Sequence, residues 1–374
     1  MPERQRGETP RRIADIPTPA IVVDVAVLTR NIRRMAQFFA TGPCRLRPHF
    51  KAHKTPEIAR RQLAAGSCAG LTCATVSEAE VVAEFCGDVL VANEPVGLGK
   101  ADRLAELARR VDVTVAVDSV KGLEEVDAAA LRAGTRIGVL VDVNVGQNRC
   151  GVAPGDAAVR LARQVLSAKA TLLRGVMGYE GHLVGIPDRT DRDGRARRAM
   201  TDLVATARAI RDAGLLCEVV SAGGTGTYDI TGRIEGITEI QAGSYVLMDS
   251  DYGRLDVPFE QAFWVLGTVV SRPTPTRCVA DSGHKSTTKD HGHPLVRDIE
   301  GAEVIALNDE HATIGVPSDC RLDVGDRVYL RPSHTDPTIN LHDVLYAIEG
   351  EHVVDVWPIA ARGYPEHRHS MLRT

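Results

Sequence analysis

Residues 111–144 read VDVTVAVDSVKGLEEVDAAALRAGTRIGVLVDVN. Val111–Val117 is an apolar run of strand length. Ser119 suits the cap of a helix, and Gly134 suits its end. Arg136–Asn144 is a second apolar run. A helix between two such runs is long enough to carry the chain back over a sheet, so the strands it joins are parallel. The run Ala20–Asp24 (AIVVD) is apolar almost throughout, as in a strand covered on both faces.

The same unit recurs on either side. Ala20–Asp24 is a strand, and Leu28, Ile32, Met35 and Phe39 follow at helical spacing. A strand near Cys44–Pro48 precedes a helix over about Pro56–Ala65, with Thr55 as its cap. Ala69–Ala74 precedes a helix opened by a capping box, Ser77-x-x-Glu80. Asp88–Ala92 precedes a helix near Lys100–Arg110. Beyond Asn144 come a helix near Pro154–Ala168, a strand over Leu172–Tyr179, a helix over about Gly194–Ala213 and a strand over Leu216–Ala222. Some eight strands alternate with helices. This α/β pattern predicts a closed (β/α)8 barrel of the TIM type, with an open doubly wound sheet as the alternative.

After about Leu255 the texture changes. Phe263–Val270, Val304–Asn308, Thr313–Val316, Arg327–Leu330 and His352–Trp357 are short and rich in Val, Ile and aromatics, with Pro, Gly and Asp between them. They predict a smaller antiparallel β-domain. The expected division is a flexible arm at 1–18, the barrel at 19–254 and the β-domain at 255–374.

The chain has 374 residues, 44% hydrophobic and 25% charged, with a formal net charge of −4. That balance gives no reason to expect nucleic acid or an anionic membrane as partner. No apolar run reaches the roughly 18 residues a spanning helix needs. The Arg-rich N-terminus lacks a secretory apolar segment. Eight scattered cysteines form no C-x-x-C pair. Buried reduced thiols and a cytoplasmic location are expected.

The polar residues at the barrel's C-terminal strand ends share one face, where such folds build their sites. Arg47-Pro48-His49-Phe50-Lys51-Ala52-His53-Lys54 leaves the second strand. Read alone it is a solvated basic turn. Other strand ends offer Asn148 and Arg149, Tyr179 and His182, and the run Ser221-Ala-Gly-Gly-Thr-Gly-Thr227. Backbone N–H groups in the Gly-rich turn can hold a phosphate. Gly243-Ser244-Tyr245 is a second small-residue turn. Neither fits a dinucleotide or Walker pattern. A lysine, an arginine and two phosphate-binding turns on one face suit pyridoxal phosphate. In the β-domain, His334-Thr335-Asp336 places two donors on one side if the segment is extended. One imidazole and one carboxylate suit Mn²⁺, Mg²⁺ or Zn²⁺. The competing reading is a turn in which Asp336 bonds nearby backbone.

Taken in order, the lysine stretch, Asn148-Arg-Cys-Gly151, Gly178-Tyr-Glu-Gly-His182 and Pro332-Ser-His-Thr-Asp-Pro-Thr338 resemble the D-threonine aldolase and D-serine dehydratase group. These are fold type III pyridoxal-phosphate enzymes related to alanine racemase. The resemblance runs from about Ile16 to Trp357. It implies a barrel holding the cofactor and a β-domain carrying a metal. Lys51 would be the Schiff-base lysine, with Lys54 its competitor, and Arg149 would face the cofactor's phenolic oxygen. Tyr179 and Tyr245 would lie against the cofactor. Thr225, Gly226, Gly243 and Ser244 would hold the phosphate, and Gln241 would face the pyridine nitrogen.

D-serine dehydratases of this group carry Cys where Asp336 stands. The oxygen ligand therefore implies a Mn²⁺- or Mg²⁺-type aldolase that cleaves D-3-hydroxy amino acids to glycine and an aldehyde. His334 and Asp336 would hold the metal, with Mn²⁺ the leading candidate. His182 would be the general base, although His49 and His53 could also reach the site. A D-3-hydroxyaspartate aldolase, a dehydratase and a non-catalytic pyridoxal-phosphate carrier are the alternatives. The fold type implies a homodimer.

Overall fold

In the computed structural model, which describes residues 11–97 and 99–363, the strands in chain order are these. β1 is Ala20–Asp24, β2 Arg45–Leu46, β3 Leu71–Cys73, β4 Asp88–Val91, β5 Asp112–Val117 and β6 Ile137–Asp142. β7 is Thr171–Gly178, β8 Val219–Ala222, β9 Glu239–Ile240, β10 Phe263–Thr274, β11 Arg277–Ala280 and β12 Leu295–Val296. β13 is Glu303–Leu307, β14 Ala312–Gly315, β15 Arg327–Arg331, β16 Val344–Glu349 and β17 His352–Pro358. The helices are α1 Val25–Phe38, α2 Pro56–Ala64, α3 Val76–Val82, α4 Lys100–Leu107 and α5 Val120–Ala133. They continue with α6 Asp156–Ser167, α7 Arg189–Asp212, α8 Tyr228–Thr231 and α9 Thr335–Ile339.

The chain divides into two units. One holds the described residues of Met1–Asn31 together with Val246–Gly253 and Glu260–Gly363; the other holds Ile32–Tyr245 and Arg254–Phe259. The second is the barrel. Its eight strands are all parallel, in the order β2-β9-β8-β7-β6-β5-β4-β3. Parallel bridges Leu46↔Cys68 and His49↔Thr72 join the two edges and close the ring. The strands are apolar because both faces are covered: every residue of β6 is buried. Leu90, Ala116, Leu140 and Met177, from four successive strands, pack as one cluster.

A buried ion network braces the seam. Arg47, just past β2, donates through Nε and Nη2 to Glu239 on β9 and through Nη1 to Asp88 on β4. The two carboxylates hold the guanidinium protonated against a burial that opposes its charge. Gly70 is the close approach this requires. Its φ is +140°, and a Cβ there would lie 2.5 Å from Arg47 Nη1 and from the Asp88 carbonyl.

The other unit is a mixed sheet ordered β13-β14-β11-β10-β1-β16-β17, with β15 also on β10 and β12 on β15. Its pairs are antiparallel except β1 with β16. One core lies among Val265, Val269, Ile314, Val328 and Leu330, and another among Ile13, Ile16, Val22, Trp264 and Leu266.

Several expectations change here. Ala20–Asp24 is a strand but not a barrel strand: Val22 pairs with Trp264 on one side and Tyr346 on the other. Glu239–Ile240 takes the eighth place in the barrel instead. A continuous apolar run marks any strand covered on both faces, so it cannot distinguish a barrel from the middle of a mixed sheet. Of the expected arm, residues 1–10 lie outside the described residues. Residues 11–18 are tied down, with Ile13 and Ile16 buried in the second core.

The capping box sits two residues earlier than expected. Thr75 Oγ1 accepts from Glu78 N, and Glu78 Oε2 accepts from Ala74 N, because Thr75-Val-Ser-Glu78 is itself a T-x-x-E sequence. Thr55 makes no cap bond; its hydroxyl donates to the His53 carbonyl. α7 starts at Arg189, capped by Asp188, since its polar first turn gives no apolar period. The short strands β11, β12 and β16 had no clear alternating signal.

Candidate active site

β2 empties into a 3-10 turn, Phe50–Ala52, whose outer residues are buried while Lys51 is partly exposed. The turn is held at its start: His49 Nδ1 accepts from Lys51 N at 3.5 Å. His49 is buried, and Lys51 and Arg149 set positive charge beside it. Burial first and those charges next push its pKa well below the usual imidazole range. It is neutral at pH 7, and Arg149 and Lys51 are both its electrostatic neighbours.

Lys54 differs from Lys51. Its Nζ lies 3.4 Å from Oε1 of the fully buried Glu78, and its φ is +50°. Burial pushes the Glu78 pKa up, and Lys54 opposes that most strongly. Lys54 therefore serves as the counter-ion of a buried carboxylate. His53 is also committed. It is fully buried, its Nδ1 accepts from Thr55 N at 3.2 Å, and its Nε2 meets Gln62 Oε1 at 3.1 Å. Gln62 Nε2 in turn donates to the Tyr245 hydroxyl at 2.9 Å.

Gly243 packs straight onto the lysine turn. A Cβ there would lie 2.7 Å from the His49 carbonyl oxygen and 3.2 Å from Ala52 Cβ. The second small-residue turn thus abuts the residues flanking Lys51. One bond joins it to the first: Tyr245 N donates to Thr225 Oγ1 at 2.9 Å. Gly226 sits equally close to its neighbours, since a Cβ would fall 1.8 Å from the Val184 carbonyl oxygen. Among the described residues, the amides of Thr225, Gly226, Gly243 and Ser244 donate to no protein acceptor. Two adjacent turns with four uncommitted N–H groups form a cradle for an anion of phosphate type.

The loop owes its shape to Glu180, a residue whose role the sequence pattern concealed. Glu180 is fully buried and accepts three bonds. Gly223 N donates at 3.1 Å, and the Thr227 and Thr231 hydroxyls donate at 2.7 Å each. Next to it, Tyr179 lies against Gly224, where a Cβ would be 3.3 Å from the ring. Arg149 Cζ stands 5.7 Å from the centroid of the same ring. Asn144 shapes the Arg149 loop by accepting from Gly146 N and Asn148 N. His182 is exposed and faces that loop: a Cβ on Gly146 would be 3.2 Å from its Nε2. Gln241 Nε2 donates to Ser221 Oγ at 2.9 Å.

The barrel thus brings together the Lys51 turn, both small-residue turns, Gln241, Tyr179, Arg149 and His182. The Tyr245 side chain points elsewhere, into the His53–Gln62 chain, and only its backbone belongs to the turn.

In the sheet unit, His334 caps α9 in an extended conformation and Asp336 lies in the first helical turn. The expected extended pair is therefore a strand-to-helix corner, fixed because Thr335 donates through N and Oγ1 to the buried Asp249. His334 Nδ1 and Asp290 Oδ2 are 2.5 Å apart. The His291 ring stacks on His334 with centroids 4.2 Å apart, and its Nδ1 meets Asp251 Oδ2 at 3.1 Å. Asp290, His291 and His334 each offer a donor atom within 4.8 Å of the others; Asp336 is not one of that trio. Asp290 and His291 escaped sequence reading because Lys289-Asp-His-Gly292 is an ordinary polar turn by composition. Two imidazoles and a carboxylate form a donor set that fits a divalent cation.

Comparison with known proteins places the chain in a family. The family model described as alanine racemase, N-terminal domain, matches residues 23–251, and that of a putative serine dehydratase domain matches 262–348. A D-threonine aldolase of Arthrobacter sp is 39% identical, covering 97% of this chain and 96% of the relative. A 3-hydroxy-D-aspartate aldolase of Paracoccus denitrificans (strain Pd 1222) is 35% identical, covering 94% and 93%. The crystal structure of D-threonine aldolase from Filomicrobium marinum superposes with a TM-score of 0.92 at 38% identity, covering 96% of this chain and 99% of that one. With its barrel built as an alanine racemase N-terminal domain and its whole length matched by these lyases, the chain belongs to the D-threonine aldolase family.

Proposed function

We propose that the protein is a pyridoxal-phosphate- and divalent-metal-dependent aldolase that cleaves D-3-hydroxy amino acids of the D-threonine type to glycine and an aldehyde. The observation that carries the reading is the pair of abutting turns. They carry four uncommitted amides; Gly243 packs on the residues flanking Lys51, and Tyr245 N ties that turn to Thr225 of the other. Bound there, pyridoxal phosphate supplies the electron sink for breaking a Cα–Cβ bond, and a divalent ion on His334 and Asp336, Mn²⁺ foremost with Mg²⁺ or Zn²⁺ as alternatives, supplies Lewis acidity toward the substrate hydroxyl.

The chain's own residues do the rest. The Thr225, Gly226, Gly243 and Ser244 amides bind the phosphate, and Lys51 anchors the cofactor through Nζ. Gln241, tied to Ser221, offers the ring nitrogen a neutral amide. Arg149, ranged over Tyr179, faces the phenolic oxygen. His49 stays neutral and holds the Lys51 turn. His182, exposed beside the Arg149 loop, takes the hydroxyl proton as the Cα–Cβ bond breaks. The partner is a small-molecule substrate, and the working form is a cytoplasmic homodimer. Eight cysteines that pair with no other thiol are in keeping with a reducing compartment. No helix among the described residues is long and apolar enough to cross a membrane.

The test is product analysis with a panel of D- and L-3-hydroxy amino acids, before and after chelation and with Mn²⁺ restored. The expected result is glycine plus aldehyde from D-isomers only, lost on chelation and recovered with Mn²⁺. An oxo acid with ammonia as product would replace the aldolase with a dehydratase. Full turnover by metal-stripped protein would remove the metal.

A further inference from the structure

We propose that Asp290 is a positioning residue of the metal centre: it fixes the ring of His334 so that Nε2 is the nitrogen offered to the ion. The inference rests on the metal-dependent reading above. The bond between His334 Nδ1 and Asp290 Oδ2 is 2.5 Å, tighter than an ordinary nitrogen–oxygen hydrogen bond, in the direction in which charge assistance shortens one. An ionised carboxylate can only accept, so the proton of that bond sits on Nδ1. Nε2 is then the unprotonated nitrogen, the only one of the two able to bind a cation. Metal-binding histidines depend on such an acceptor to fix tautomer and ring angle.

Asp290 is itself held, because the Thr288 hydroxyl bonds the same carboxylate. His291 adds a second restraint. Its ring lies almost parallel to that of His334, at 10° and 4.2 Å, and Asp251 holds it in place through Nδ1. The His334 ring therefore has a carboxylate on one edge and an aromatic plate on one face. Its backbone is fixed from the other direction, since Thr335 is pinned to Asp249. Nothing in this arrangement serves the sheet's core: Asp290 and His291 are both exposed. Exposed groups held in so specific a geometry are explained by a role at the adjoining imidazole.

The experiment measures Mn²⁺ affinity directly, from the free-ion electron paramagnetic resonance signal, on chelator-stripped protein with its pyridoxal phosphate retained. Wild type, Asp290→Ala and Asp290→Asn are compared. Because Asp290 is exposed, all three should keep the same melting temperature and cofactor absorbance. Asp290→Ala should weaken Mn²⁺ binding about 10- to 100-fold, the range for losing such an outer partner. Asp290→Asn, whose carbonyl oxygen can still accept from Nδ1, should lose several-fold less. Ala binding within twofold of wild type overturns the inference while leaving metal dependence intact. Equal losses in Ala and Asn also overturn it, since charge rather than the acceptor would then be what matters. A wild type that takes up no divalent ion removes both this inference and the reading beneath it.

Discussion

Removing the Glu180 carboxylate should cost the barrel several kcal/mol, and removing only its charge should cost much less. In Glu180→Ala three donors lose their acceptor at once: Gly223 N–H and the Thr227 and Thr231 hydroxyls. Each buried donor left without a partner costs about 1–3 kcal/mol. The site is fully buried, so bulk water does not take over. Both hydroxyls can rotate toward other acceptors, which keeps their share near the low end. The expected loss is about 3–5 kcal/mol.

Glu180→Gln is isosteric, and the amide can turn two ways. With its oxygen toward Gly223 N–H, the NH₂ faces two hydroxyls, which can switch from donating to accepting. That arrangement keeps the Gly223 N–H satisfied and gives the NH₂ two acceptors, while the two hydroxyl protons turn to other acceptors, so the loss falls to about 1–2 kcal/mol. Denaturant unfolding of the apoprotein separates the two variants. A spectrophotometric titration with pyridoxal phosphate reads the same loop a second way. Because Gly223 begins the turn proposed to hold the phosphate, Glu180→Ala should also bind the cofactor at least tenfold more weakly, which corresponds to about 1.4 kcal/mol. An Ala variant within about 1 kcal/mol of wild type would refute the reasoning. So would a Gln variant as damaged as Ala, because the hydroxyls would then have failed to adapt.

Two further outcomes are expected. Lys51→Ala should abolish the visible absorbance of bound cofactor while leaving stability nearly unchanged; Lys54→Ala should keep that absorbance but lose about 3–5 kcal/mol, since Glu78 is left buried without its cation. Reversal of the two phenotypes in absorption and unfolding measurements would exchange the lysines' roles. Arg47→Met should destabilise the barrel by about 3–5 kcal/mol, because Glu239 loses its charge partner while staying buried; the paired change Arg47→Met with Glu239→Gln should recover part of that loss in the same unfolding assay.

The barrel was legible because its signal is local. Each strand and the helix after it are neighbours in the sequence, and the apolar periods announce most of them. What escaped was membership. Ala20–Asp24 was visible as an apolar run, whereas Glu239–Ile240 is two residues long and carried no apolar signal of its own. Which of them sits in the barrel depends on pairing with Trp264 and Tyr346 in one case and with Leu46 and Ala222 in the other. Those partners lie up to 324 positions away in the chain, Val22 to Tyr346, and no window of sequence contains them. The capping box failed for a different reason. Thr75 and Ser77 each precede a Glu by three, so two frames of one motif overlapped, and only the Thr75–Glu78 bond chooses between them.

The site divides along the same line. Lys51, Gly226, Gly243 and His334 could be singled out because their types are unusual where they stand: a lysine at a strand end, glycines in a turn, a histidine two positions before an aspartate. The residues that decide what those groups do are of ordinary type. Lys51 and Lys54 are three positions apart and chemically identical, and the 3.4 Å ion pair of Lys54 with Glu78 distinguishes them. His49, His53 and His182 are three candidate bases. Burial and a hydrogen-bond chain to Tyr245 withdraw His53, and burial among positive charges keeps His49 neutral. Only His182 is left exposed beside the Arg149 loop. The candidate groups were thus visible as residue types, whereas the roles proposed for them rest on Glu78, Gln62, Glu180 and Asp290, each of which bonds its partner across a turn or across the fold.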